Sequence, residues 1–562
     1  RRRAPRCPPR SRHLHTAWRG GVGRWDVART HAILADAWPW LGPAEAVMAK
    51  GGDSRLAVDP ATGLNHYGCS HRPRPWAITF ASSTASSISE RGYAGAEAAR
   101  RRLILCALRD GWHPGAMALT DDVRARIGRH FGVDAAHVVL APSGTDCELV
   151  ALALARRHGR PVTNVLIAAE ETGSGVPLAA AGRHFSNETA RGAPVGRGRL
   201  LDGIDTAADV YSVPIRTDAG CERDPAAIDA ECMAIVRAQQ AAARHVLIHR
   251  LDLSKTGLLA PGLACLKALG GTSDVVVDAC QARIDPERVR DYLDRGWMVM
   301  VTGSKFYTGP PFAGALLLPP ALAAALRTGP MPPGLGAYVA PGDWPGRGFP
   351  PDGPANVGLA LRWAAACAEM DALTALPRAT VRDRIDGFIG AMRSSIATRP
   401  SFRLLPTSAP DRPWLPDAWD DRQTIVSFLV GHGTEDGWRP LDLAAARSVY
   451  RWLNADLAPV LRQHGIAASP AIASRLCHIG QPVPVPAAGA QGGIAGALRM
   501  SAGARLVSGE PSHAGLAPQT RLAREHADAR LVLDKIDLIL TAWDVLQAAD
   551  PAPGFMPADR TC

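Results

Sequence analysis

The sequence predicts an α/β fold, a mostly parallel sheet sandwiched by helices, with a smaller α+β C-terminal domain. Three observations carry this. From about Ala96 to Gly329, apolar runs and helical patterns alternate, as at Ile104–Leu108, His137–Ala141, Val165–Ala169, Val246–His249, Val275–Asp278 and Val299–Val301, which is how a sheet covered by helices on both faces reads. Val275–Asp278 and Met298–Val301 are separated by Pro286–Asp294, a crossover helix of the length that parallel neighbours need. Beyond about Ala355, helices at Arg378–Arg393, Leu441–Leu457 and Leu522–Leu546 alternate with strands near Thr424–Leu429, Ser474–Ile479 and Leu498–Ser501, the pattern of a separate α+β unit.

The chain divides in order. Residues 1–47 hold nine arginines against three acids, +6 of the net charge of +10. The charge therefore belongs to a tail, and nucleic acid is not an expected partner. Pro5, Pro8 and Pro9 oppose an amphipathic targeting helix and the first methionine is Met48, so 1–47 is expected to be a basic Arg/Pro-rich extension, disordered or not native. Residues 48–95 form an N-terminal arm rich in turn signals, 96–345 the large domain and 346–562 the small one. Between the last two lies a Pro/Gly loop, Gly329–Pro354, leading into the helical stretch ANVGLALRWAAACAEM. A loop of that length inside a compact protein is more often functional or linking than accidental.

Composition restricts the class. With 47% hydrophobic and 21% charged residues the chain reads as soluble and globular. No apolar run reaches the roughly 18 residues of a membrane span, and the Ala/Leu run from Ala313 to Leu326 is broken by Pro319 and Pro320. Eleven cysteines without a CxxC pair indicate neither a zinc cluster nor a disulfide framework. No metal is expected, and reduced thiols in the cytoplasm are the simplest reading.

The chemistry concentrates in VVVDACQARID and MVMVTGSKFYTGPPFAG. Asp278 ends one strand, Lys305 follows the next, and 27 positions separate them. If those strands are neighbours, both side chains emerge at the carboxyl-end crevice where open α/β sheets bind ligands. A pyridoxal phosphate site needs that pair: an amine for the cofactor aldehyde and a carboxylate to keep the ring nitrogen protonated. Gln281 adds a neutral donor within reach of the phenolate oxygen. Taken alone, the pair is equally compatible with a solvated lysine and a helix-capping aspartate. In VVLAPSGTDCELVALALA, a strand runs into Ser143-Gly144-Thr145 and then a helix, whose free N–H groups and dipole suit a phosphate; by itself this turn reads better as a plain helix cap. Thr302 and Ser304 offer further phosphate donors.

With these three segments in order, the chain resembles the fold type I pyridoxal phosphate enzymes, specifically the class V aminotransferase and cysteine desulfurase group. The likeness runs from about residue 60 to 550. It implies a Schiff base on Lys305, with Ser143, Gly144, Thr145, Thr302 and Ser304 on the phosphate and Asp278 and Gln281 on the ring. ALRMSAGARLV resembles the late strand whose arginine grips a substrate carboxylate, here Arg499, and arginine's planar fork suits that role. FASSTASSIS resembles the turn lining the substrate side, with Ser83 and Thr84. HRLDLSKTGLLAP matches the strand end near the phenolate oxygen, which nominates Asp252. The loop before the ANVGL helix is where the group reaches across a two-fold axis to the partner's phosphate, with Asn356 nearest, so a homodimer with shared active sites is implied.

Departures matter as well. Relatives place a histidine over the ring after the strand matching Thr163–Ala169; here EETGSGV follows, and Thr172 is the expected substitute. Lys255 precedes Asp278 in the chain, so the family order makes it no Schiff-base lysine and leaves a substrate or surface role open. Cys477 lies between Lys305 and Arg499 as a desulfurase cysteine does, and Arg475 and His478 would lower its pKa. The strand pattern at Arg475–Gln481 reads it instead as a small buried residue. The expected activity is therefore amino-group transfer on an amino-acid-type substrate. The alternative is a C–S lyase, desulfurase-like or β/γ-elimination and replacement reaction, and a cofactor-binding regulatory role comes third.

Overall fold

The computed structural model describes residues 27–269, 271–329, 331–345, 353–434 and 437–557. The first 26 residues of the basic tail, residues 330 and 346–352 of the Pro/Gly loop, and with them the far side of the expected boundary at 345/346, lie outside the described residues. Residues 27–47 are not the disordered extension expected from the tail: Val27–Ala37 and Ala44–Met48 are helical, and Ile33, Ala37, Ala44, Val47 and Met48 are buried. The composition turns from Arg/Pro to Ala/Leu near Val27, and an apolar helix face then has a core to join.

The large sheet has the strand order Val138–Ala141, Gly314–Leu317, Met298–Thr302, Asp274–Ala279, His245–Asp252, Val162–Ile167, Asp209–Val213. The last five run parallel, and Gly314–Leu317 is antiparallel to both of its neighbours. Every residue of Val138–Ala141, Val162–Ile167, His245–Asp252 and Met298–Thr302 is buried, as expected where helices cover both faces. The period of two splits these side chains between two cores. Val275, Val277, Val299 and Val301 enter one; Val276, Met298, Met300 and Leu247 enter the other, with Leu149, Val150 and Leu154 of the helix Gly144–Ala155.

The crossover helix spans Pro286–Asp294 as expected, with Pro286 at its first turn and the Asp285 carboxylate accepting from Glu287 N–H, a favourable helix start. Ile104–Leu108 departs from its strand-like reading and lies inside the helix Glu90–Asp110, packed against Trp112–Phe131 and Val357–Thr374. Five apolar residues carry too little periodicity to separate strand from buried helix.

The C-terminal sheet runs Phe402–Leu404, Ile425–Thr434, Ile494–Ser501, Cys477–Pro486, Ile78–Phe80. Its edge strand, Ile78–Phe80, comes from the N-terminal arm and pairs in parallel with Cys477–Ile479. The expected helix Leu522–Leu546 is two, Pro518–Thr541 and Trp543–Ala549. One continuous core joins the arm, the large sheet and the C-terminal sheet, from Ala44 through Val277 to Phe428 and Ile536. No helix among the described residues is long and apolar enough to cross a membrane.

Candidate active site

Asp278 and Lys305 belong to adjacent parallel strands. Met300 lies opposite Asp278 in the register and Val301 opposite Ala279, so the Lys305 turn leaves the sheet beside the end of the Asp278 strand. Phe306 N–H donates to Gln281 O at 3.4 Å and Ala504 N–H to Phe306 O at 2.7 Å. These bonds tie the lysine turn to the Asp278 loop and to the segment after Arg499.

The crevice they form is a cavity of about 220 Å³ lined by Asp278, Gln281, Lys305 and the helix start Ser143-Gly144-Thr145. Ser83, Thr84, Thr172, Thr302 and Ser304 line it too. Ser143 caps the helix: its Oγ accepts from Asp146 N–H and donates to Asp146 Oδ2 at 2.5 Å. Burial pushes the Asp146 carboxyl up to about 7. A Cβ on Gly144 would overlap the Cys280 sulfur, so only glycine lets this turn sit against the Asp278 loop. Thr145 is buried beside it.

Several side chains are partly spent on the protein itself. Thr302 Oγ1 donates to Cys280 O at 2.6 Å and Thr172 Oγ1 to Ala169 O at 2.8 Å, so neither hydroxyl hydrogen is free for a ligand. Gln281 Nε2 donates to Ser83 O at 3.1 Å, leaving one amide hydrogen for another acceptor. Ser83 Oγ is fully buried and has no hydrogen-bond partner among the described residues, and Lys305 is half-buried at the cavity wall. Phe312, in the cavity wall, has left-handed backbone (φ 69°), as does Ala282 directly after Gln281 (52°). Such conformations cost about 1–3 kcal/mol each and gather where a site over-determines its loops.

Three nominated residues lie elsewhere. Asp252 does not reach the cavity. Alternation along His245–Asp252 leaves Leu251 as a lining residue and sends Asp252 to the opposite face, where Tyr292 Oη donates to it at 2.9 Å and Arg412 binds it. Asn356 caps the helix Val357–Thr374, accepting from Leu359 N–H and donating to Gly51 O, each at 3.0 Å; both its oxygen and its nitrogen are used within its own chain. Arg499 is buried behind the wall. Its Nη1 donates to Ser83 O at 3.3 Å and Lys255 O at 3.2 Å, its Nη2 to Thr84 Oγ1 at 2.7 Å and Gln481 O at 2.5 Å. Burial pushes its pKa down to about 10.

Sequence reasoning missed other lining residues. Arg55 and Tyr67 come from the arm, Phe312 from the turn after Lys305, and Glu171 from the loop where a histidine was sought. Arg55 forks onto Asp53 at 2.9 and 2.6 Å and sits 5.0 Å over the Phe312 ring. Glu171 receives Arg216 Nε at 2.8 Å and Ser254 Oγ at 2.7 Å. Its signal was present in EETGSGV as a pair of acids followed by a small-residue turn. Cys477 is buried in its strand, donates to Arg475 O at 3.7 Å and has its thiol pushed up to about 11 by burial. It does not line the cavity; Cys280 does, and burial with the neighbouring Asp278 carboxylate raises its pKa.

No protein-family model matches the chain, and no curated protein matches it in sequence. Among solved structures, the chain is similar to the cysteine desulfurase CsdA from Escherichia coli, at 14% identity over 83% of this chain and 96% of that one, TM-score 0.47. It is similar to TDC from Oryza sativa, solved with PLP and tryptamine, at 14% identity over 85% of each chain, TM-score 0.46. The cystine C–S lyase C-DES is similar at 14% identity over 81% of this chain and 97% of that one, TM-score 0.45.

Proposed function

We propose that the cavity holds pyridoxal 5'-phosphate on Lys305 and that the protein transfers amino groups from an amino-acid-type substrate. The observation that carries this reading is the convergence of Lys305, Asp278, Gln281 and the Ser143–Thr145 helix start on one cavity at the carboxyl ends of two adjacent parallel strands. The residues present fit the group. A cup closed by glycine, a fully buried Ser83 hydroxyl without a partner and a half-buried amine match a ligand with one anionic end and one electrophilic carbon. Bound there, the cofactor supplies an aldehyde that captures an amine and a protonated ring that accepts the electron pair left on the α-carbon.

The chain's own residues do the rest. Backbone N–H groups at Gly144 and Thr145, with the Ser304 hydroxyl, bind the phosphate. Asp278 keeps the proton on the ring nitrogen and Gln281 donates to the phenolate oxygen. The Lys305 amine moves the proton on and off the substrate α-carbon. Leu251, Met300 and Phe312 keep water from the reacting face. Sulfur transfer through a mobile thiolate finds no support: Cys280, the described cysteine at the cavity, is buried and its thiol is held neutral.

The test is uptake of pyridoxal phosphate, followed by borohydride reduction and peptide mass spectrometry. A pyridoxyl group on Lys305 and a 2-oxo acid formed in proportion to amino acid consumed are the expected results. Labelling elsewhere, or none, overturns the cofactor assignment. Release of ammonia or sulfide in place of amino transfer overturns the reaction while leaving the cofactor.

A further inference from the structure

A second lysine enters the same cavity. The segment Leu253–Gly257 sends its side chains to alternate sides. Ser254 and Thr256 turn inward, both hydroxyls on Glu171 Oε2. Arg216 fixes Glu171 from the other side at 2.8 Å and reaches Thr256 Oγ1 at 2.8 Å. Between them, Lys255 N–H donates to Glu171 O at 3.1 Å and its carbonyl accepts from Arg499 Nη1 at 3.2 Å. With both neighbours and its own backbone pinned, the Lys255 side chain lines the cavity.

Its amine makes no hydrogen bond or ion pair among the described residues. The other charges on the wall are accounted for. Arg55 is on Asp53, Glu171 on Arg216, and Glu148 is 3.1 Å from His249, while Asp278 and Lys305 serve the cofactor in the reading above. An unpaired ammonium held half-buried near two further cations, Arg499 and Lys305, is costly unless an anion arrives. The residue expected to meet that anion is unsuited to it: the terminal guanidinium nitrogens of Arg499 are each committed to two protein acceptors, and Arg499 itself is not part of the cavity wall.

We propose that Lys255 is the receptor for the substrate carboxylate, and that Arg499 acts as a positioning residue, fixing the Lys255 carbonyl and the Ser83–Thr84 turn. The substrate class is then an amine bearing a carboxylate, met by a point-charge ammonium rather than a bidentate fork. This rests on the cofactor reading only for the catalytic consequence, because carboxylate binding is measurable in the cofactor-free protein.

The experiment is calorimetric titration of the cofactor-free protein with a 2-oxo acid, and of the loaded protein with an amino acid and with the amine lacking its carboxylate. In Lys255→Met, affinity for both carboxylates is expected to fall about ten-fold or more, as for loss of a charged hydrogen-bond partner. Binding of the amine stays within two-fold, uptake of pyridoxal phosphate is retained, and Lys255→Arg recovers part of the loss. Unchanged carboxylate binding in a folded Lys255→Met protein overturns the proposal. A Lys255→Met protein that binds the carboxylate and the bare amine equally weakly overturns it too, since that marks collapse of the wall. Failure of the wild type to take up pyridoxal phosphate sinks the cofactor reading alone.

Discussion

Arg412 and Asp252 form an ion pair in which neither side chain has any solvent exposure, on the face of the large sheet opposite the cavity. Tyr292 and the nearby Arg250 join it on the Asp252 side, and Asp420, whose backbone carbonyl accepts from Arg412, on the other. Against the burial that alone would raise it, Arg412 and Arg250 hold the Asp252 carboxyl below its ordinary value. Arg412→Met leaves the buried Asp252 carboxylate without its nearest counter-charge and should cost about 3–5 kcal/mol by urea unfolding, whereas Asp252→Asn leaves Arg412 with Asp420 and should cost less. The depressed carboxyl contributes stability above the unfolded pKa and loses it as pH falls toward the lower folded value. The affinity for pyridoxal phosphate, measured below the unfolding transition, should stay within a factor of two.

Gly144 carries the opposite expectation. Its Cβ would overlap the Cys280 sulfur, and overpacking of this kind costs about 1–3 kcal/mol. Gly144→Ala should weaken pyridoxal phosphate binding by about ten-fold, read by equilibrium dialysis. Cys280→Ala in the same chain should restore it by making room.

Carboxylate binding should depend on pH through Lys255. Its pKa is pushed down to about 7, first by burial and then by Arg499 and Lys305, while Glu171 and Asp278 act the other way. Only the ammonium form receives an anion. Affinity for a 2-oxo acid should therefore be flat below pH 6 and fall about ten-fold per unit above pH 8, with the wild-type profile flattened in Lys255→Met.

Asp343, in the Pro/Gly loop, is fully buried with Oδ2 accepting from Ala340 N–H at 3.0 Å and Oδ1 without a partner among the described residues. Burial pushes its pKa up to about 8, against opposing effects of Arg124, Arg191 and Arg362. A carboxyl whose pKa is raised on folding contributes most below its unfolded value and loses that contribution as pH rises through its folded value. Asp343→Asn should thus be more stable than wild type by at least about 2 kcal/mol at pH 8 and equal to it near pH 4. Thermal unfolding at the two pH values checks this.

Thiol accessibility separates the cysteines. Cys221 is exposed, whereas Cys280 and Cys477 are buried. Iodoacetamide followed by peptide mapping should label Cys221 in the native protein and reach Cys280 and Cys477 only after denaturant. Cys477→Ser should keep turnover.

What was legible followed from local pattern. Asp278 and Lys305 could be paired because the Pro286–Asp294 crossover leaves little choice but adjacent parallel strands. Asp252 was misplaced by one position of parity: Leu251 and Asp252 share a strand end, and only the sheet decides which of them faces the ligand. Ile78–Phe80 is too short to read as a strand without its distant partner. Lys255 was open because its direction is set by Glu171, 84 residues earlier, and by Arg499, whose own acceptors come from three separate segments.

The pairing of Ile78–Phe80 with Cys477–Ile479 sets a schedule for making the protein. A ribosome releases the arm long before the strand that receives it, and the two meet across roughly 400 residues. Ser83 and Thr84 follow directly behind that edge strand, and Thr84 is bound by Arg499, 415 positions away. The Ser83–Thr84 side of the cavity is therefore the last part of the pocket to close during synthesis, however early the Lys305 half of the sheet assembles. Nascent chains paused before residue 477 should hold a large sheet with an unfinished pocket, a state in which exposed strand edges need a chaperone's attention.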